Sequence, residues 1–147
     1  MNNLFIPENY ADLLRWLKSY NEGNQILQAT GLNNFNSEGF LAKMNKAHTG
    51  FCFLSLDSKG LMKGEFIIND KPNNCVSLKR INLKDIIGVE CNLSNYGRDF
   101  IGFQFQKIYY SLSILNNEKL VLISEDYTTD SNQKFMEIGN RLMNSVG

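Results

Sequence analysis

Proton transfer at neutral pH would fall to His48, the chain's one histidine. It sits in Lys46-Ala47-His48-Thr49-Gly50, where the apolar pattern changes period. Nucleophilic catalysis there would require a Ser or Cys activated by the imidazole and a carboxylate to orient it. No GxSxG elbow is present, so His48 reads as a surface or hydrogen-bonded structural residue, with an enzyme using His48 kept as an alternative. The carboxylates do not pair for acid–base work. Glu125, Asp126 and Asp130 precede the last predicted helix, where negative charge complements the helix dipole. Asp57 and Asp70 lie at strand ends and read as turn residues, and no DxDxDG loop frames a calcium site. Cys52, Cys75 and Cys91 are widely spaced without a CxxC pair, which is the usage of buried or half-buried free thiols. Neither a P-loop nor a GxGxxG turn occurs. The expectation is a non-catalytic chain with no metal and no other cofactor.

Fifteen basic residues balance fifteen acidic ones, which excludes adhesion of the whole surface to nucleic acid or an anionic membrane. The balance is a cancellation along the chain. Between Lys43 and Lys84 there are eight basic residues against three acidic, and from Asp85 onward eight acidic against five basic. Lys59, Lys63, Lys79 and Arg80 are therefore the candidates for holding a small anionic ligand or a lipid headgroup. The two differently charged halves also suit head-to-tail self-association or a polarised partner. Phe100, Phe103, Phe105, Tyr109 and Tyr110 are dense, yet only Lys107 among their neighbours is basic, so they read as core and not as a nucleic-acid stacking face. Trp16 lies beside the apolar stripe of its helix. It either widens the face that docks on the rest of the chain or anchors a protein partner.

These side chains must be carried by two kinds of element. Residues 1–46 read as helical. Pro7-Glu8 suits a first turn, and Tyr10, Leu13, Leu14, Leu17 and Tyr20 recur at helical spacing. Asn21–Asn36 reads as a loop with a short helical turn at Ile26-Leu27, and Ser37 as the N-cap of a second short helix through Phe40, Leu41 and Met44. From His48 the period becomes two. Strands are expected at Phe51–Leu56, Leu61–Ile68 and Cys75–Asn82, with Asp57–Gly60 and Asn69–Asn74 as turns. Ile87, Val89, Cys91 and Leu93 then alternate with Gly88, Glu90 and Asn92, the pattern of a half-buried strand with one wet face. In Phe100–Leu115 the apolar phase switches from odd to even numbers, which demands a bulge or bend near Gln106-Lys107. Asn116–Lys119 reads as a hairpin turn and Leu120–Ser124 as the last strand. A closing amphipathic helix carries Phe135, Ile138 and Leu142, opened by a capping box of Asp130 and Gln133.

About seven strands with hairpin connections, followed by one amphipathic helix, resemble the pleckstrin-homology-like superfold over residues 48–147. The passage Lys79–Val89 is similar to a strand–turn–strand segment of its bacterial members. The resemblance implies an α+β domain: a small antiparallel β-barrel or sandwich at 47–147 capped by the C-terminal helix, with residues 1–46 as a helical N-terminal extension packed on it. It also implies phosphate binding near Lys59 and Lys63, though the Arg of the family's Lys-x(n)-Lys/Arg-x-Arg pattern is missing and the C-terminal helix lacks the family's Trp. The opening residues show no basic region followed by an apolar one, and no apolar run reaches the ~20 residues of a membrane span. A cytoplasmic interaction module binding a protein partner or itself is therefore the leading expectation.

Overall fold

In the computed structural model of the chain, which describes residues 5–69, 71–95, 105–128 and 132–146, the first helix starts at a cap supplied by asparagine. Helix α1 spans Tyr10–Lys18, and the Asn9 side chain accepts from the Asp12 N–H at 2.8 Å. Pro7 and Glu8 precede the helix and do not form its first turn. The chain falls into two compact units, Met1–Arg80 and Ile81–Gly147.

In the first unit, α1 buries Tyr10, Leu13 and Leu17. The segment expected to be a loop is instead a second helix, α2, over Asn21–Thr30, closed by Gly31 at φ 73°. Asn-Glu-Gly-Asn has poor helix propensity, and packing overrides it. Gly23 lies so close to the Leu17 carbonyl that a Cβ there would stand 1.8 Å from it, and the Asn24 amide donates to the Tyr20 and Lys18 carbonyls. The expected helix through Phe40 and Met44 is strand β1, Gly39–Met44. Six residues cannot settle their own period, and the ladder to β2 (Gly50–Leu56), with Gly39 opposite Leu56 and Met44 opposite Phe51, decides it. Ser37 caps no helix; its hydroxyl meets that of Ser55 at 2.6 Å.

Strands β3 (Gly60–Asn69) and β4 (Lys71–Asn82) complete a four-stranded sheet in the order β1-β2-β3-β4. β4 begins earlier than the turn-like Asn69–Asn74 cluster suggested. As a terminal strand of its sheet it tolerates Pro72 near its start. The Asp57 turn is as expected: its Oδ1 accepts from the Lys59 and Gly60 N–H groups at 2.8 and 2.6 Å. Asp70 lies outside the described residues. The core of this unit sets Leu13, Leu17, Leu27 and Leu32 with Phe51, Phe53, Met62 and Phe66.

The second unit holds strands β5 (Ile86–Asn95), β6 (Phe105–Ile114) and β7 (Glu118–Ile123), antiparallel in that order, and helix α3 (Gln133–Ser145). The phase switch has the physical form expected. Ser94 pairs with Lys107 and Asn95 with Phe105, leaving Gln106 as an extra residue in the ladder. The odd-numbered half of that stretch, through residue 104, lies outside the described residues. The β6–β7 turn closes on Asn116 and Asn117, both left-handed at φ 69° and 62°, a conformation asparagine tolerates. Asn132 stands at the N-cap position of α3 without a side-chain cap bond, its Oδ1 accepting from the Thr128 hydroxyl at 3.1 Å, and Asp130 of the expected capping box lies outside the described residues. Phe135, Ile138, Gly139 and Leu142 form the buried face of α3. The Phe135 ring packs on that of Tyr110 at 5.3 Å, so the helix covers the β6 face bearing Ile108, Tyr110 and Leu112.

Candidate functional site

His48 stands in the β1–β2 turn with a left-handed backbone, φ 57°, and its side chain is exposed. Its Nδ1 lies 3.0 Å from Met44 Sδ. The neighbouring Asn45 organises this turn. Its Oδ1 accepts from the Thr49 and Gly50 N–H groups at 2.9 and 3.2 Å, and its Nδ2 donates to Thr49 Oγ1 and Glu65 Oε2, both at 3.0 Å. His48 therefore occupies a turn position built by another residue's amide.

The four basic candidates lie on β3, β4 and the turn before β3. Lys59, Lys79 and Arg80 are exposed and Lys63 is half-buried. Gly64 of β3 abuts Ser77 and Leu78 of β4, which brings the stretches holding Lys63 and Lys79 alongside each other. The Arg80 guanidinium lies 5.4 Å from the centre of the Phe35 ring. Tyr10 lies within the field of both Arg80 and Asp57. Burial raises the Tyr10 phenol above its ordinary range, Arg80 opposes that and Asp57 adds to it. The Tyr10 hydroxyl donates to the Leu32 carbonyl at 2.6 Å.

Trp16 is half-buried, stacked on Phe5 at 4.8 Å and edge-on to Phe51 and Phe66 at 5.8 and 5.9 Å. That environment is the docking face of α1 against its own sheet. The Cys52 and Cys91 side chains are half-buried; the Cys75 side chain lies outside those described. Among the described residues, no group of three or more His, Cys, Asp or Glu side chains is placed to hold a metal ion, and every buried side-chain N or O has a hydrogen-bond partner. No helix among them is long and apolar enough to cross a membrane.

What distinguishes the two units is their apolar surface. The exposed large hydrophobics among the described residues are Ile87, Leu93, Leu115, Val121, Met136 and Met143, all in the second unit. Two of them lie on β5, a ten-residue strand at one edge of its sheet. The expectation for this strand requires correction: Ile87 and Leu93, assigned to a covered face, are 58% and 52% exposed. At Ile87 the reason is a second bulge. Ile86 pairs with Ile114 and Gly88 with Ser113, so Ile87 is extruded from the ladder. The adjacent pair Ile86-Ile87 already breaks the alternation in the sequence and was the available signal. Leu93, one residue from the other register shift, sits opposite Ile108, which is buried, but at the outer edge of the sheet. On α3, Met136 and Met143 are seven residues apart and share one flank of the helix.

No family model, curated protein or solved structure matches the chain.

Proposed function

We propose that this chain is a non-catalytic interaction module that binds protein through the β5 edge of its second unit. The observation that carries the reading is the ten-residue edge strand with Ile87 and Leu93 open to solvent. An edge strand offers a row of unpaired N–H and C=O groups to an extended segment, and exposed apolar side chains add area on either side. The catalytic alternative through His48 finds support in neither its turn position nor its sulfur neighbour. Two antiparallel sheets of four and three strands followed by an amphipathic helix support a pleckstrin-homology-like arrangement, in which protein binding without chemistry is a familiar use.

Photo-crosslinking in cells tests the reading, with a photoreactive amino acid placed at position 87 or 93 and, as control, at exposed Lys18 of α1. Discrete protein adducts at 87 and 93 but not at 18 are expected. Their absence from both β5 positions overturns it.

A second reading, binding of an anionic headgroup through Lys59, Lys63, Lys79 and Arg80, draws on the guanidinium of Arg80 held over Phe35. Sedimentation with anionic vesicles over a salt series decides it. Binding at low salt that Arg80→Gln weakens supports the headgroup, and no binding at low salt removes it.

A further inference from the structure

We propose that Met44 and His48, at the β1–β2 turn of the first unit, form a binding site for a soft monovalent metal ion, copper(I). This site is independent of the β5 edge and draws on a different observation: Met44 Sδ and His48 Nδ1 lie 3.0 Å apart. A thioether sulfur with an imidazole nitrogen is a donor pair suited to copper(I). Magnesium and calcium take oxygen ligands, and zinc takes thiolate, imidazole or carboxylate.

Both donors are within reach of an ion. His48 is exposed and Met44 is half-buried. With metal–nitrogen and metal–sulfur bonds of about 2.0 and about 2.3 Å, one ion holds its two donors roughly 3 Å apart at a right angle and roughly 4.3 Å apart in line. The observed separation is at the near end of that range, and the unbranched methionine side chain supplies the adjustment. Sulfur here can only accept, so a hydrogen bond between the two uses the Nδ1–H tautomer of His48. An ion uses the tautomer with its proton on Nε2, which the exposed ring reaches by exchange with water.

The turn fixes where the imidazole starts from. Asn45 Oδ1 holds the Thr49 and Gly50 N–H groups on the far side of His48, whose backbone stands at φ 57°. The Asn45 amide is itself spent on Thr49 and Glu65, so it adds no donor. Cys52 pairs with Lys43 and not with Met44, and alternation sends its side chain to the other face of the sheet from Met44. The chain therefore offers two donors here, a number copper(I) accepts. Lys43 and Lys46 flank the pair and favour a monovalent over a divalent ion.

Titration of the whole chain with silver(I) tests the site, since silver(I) shares the charge and softness of copper(I) and needs no reductant. NMR reads it directly: the chain has one histidine, and methyl-labelled methionine gives Met44 a signal of its own, assigned through Met44→Leu. The three cysteines take the first equivalents. With further silver the His48 ring and the Met44 methyl are expected to shift together, with one shared midpoint. Met44→Leu should weaken the His48 response about tenfold, and His48→Gln the Met44 response by a similar factor. Zinc(II) at the same concentration should leave the Met44 methyl in place. Separate midpoints, no shift of either signal, a His48 response unchanged by Met44→Leu, or a Met44 methyl that zinc moves as readily as silver overturns the proposal.

Discussion

Asn45 shows how much a single polar side chain can hold. It is 5% exposed and serves two backbone N–H groups, one hydroxyl and one carboxylate at the end of β1. Asn45→Ala would leave the Thr49 and Gly50 donors without their acceptor in a tight turn. The cost expected is about 2 kcal/mol, read from urea unfolding followed by Trp16 fluorescence, which reports the first unit. A loss within experimental error would show that water replaces the amide. His48 draws its position from this turn: a left-handed backbone costs a side-chain-bearing residue roughly 1–2 kcal/mol, and Asn45 over-determines the geometry that imposes it.

At the scale of the element, α3 and its strand contacts define the second unit. An ideal Cβ on Gly139 would stand 1.9 Å from the Tyr110 ring, inside the ring's own volume. Helix propensity alone would make Gly139→Ala stabilising by about 1 kcal/mol. Close approach reverses the sign, and a net destabilisation of about 1–3 kcal/mol is expected in denaturant unfolding followed by far-UV circular dichroism. Stabilisation would mean that α3 does not lie against Tyr110 in solution. The same tyrosine gives the sheet a pH signature. Burial, with the Cys91 thiol opposite adding to it, pushes the Tyr110 phenol from the ordinary value near 10 up to about 12. Below pH 10 folded and unfolded chains both carry that proton. Between 10 and 12 the unfolded chain has released it while the folded chain retains it, so stability declines across that window. Tyr110→Phe should flatten part of the decline in unfolding measured from pH 9 to 11, and an unchanged slope would assign the alkaline loss elsewhere, with Tyr10 next in line.

Across the whole molecule, apolar exposure is partitioned: the large exposed hydrophobics among the described residues all lie beyond Arg80. Side chains left in water contribute little to folding, so replacing Ile87 and Leu93 together by lysine should leave unfolding free energy within about 0.5 kcal/mol of the parent. The same double substitution should abolish association at the β5 edge, because charge on an edge strand opposes pairing. Stability lost together with association would mean that these residues belong to the fold and not to an interface.

Much of the architecture was legible because it rests on periods that neighbouring residues impose on each other. The β2–β3 hairpin that closes with Leu56 opposite Leu61, the Asp57 turn, the Asn116-Asn117 reversal and the buried stripe of α3 all follow from local alternation and turn chemistry. The bulge at Gln106 was readable for the same reason, since a strand cannot change the face of its side chains without an extra residue. What escaped local reading was decided by contacts distant in the chain. Gly39–Met44 is a strand because β2 pairs with it, and Asn21–Thr30 is a helix because Gly23 lets α2 approach the end of α1. The candidate surface belongs to this second class. Val89, Cys91 and Leu93 share one period, and only the position of β5 at the sheet edge leaves Leu93 in water beside its buried neighbour Ile108. Period determines which side chains share a face; tertiary structure alone determines whether anything covers it.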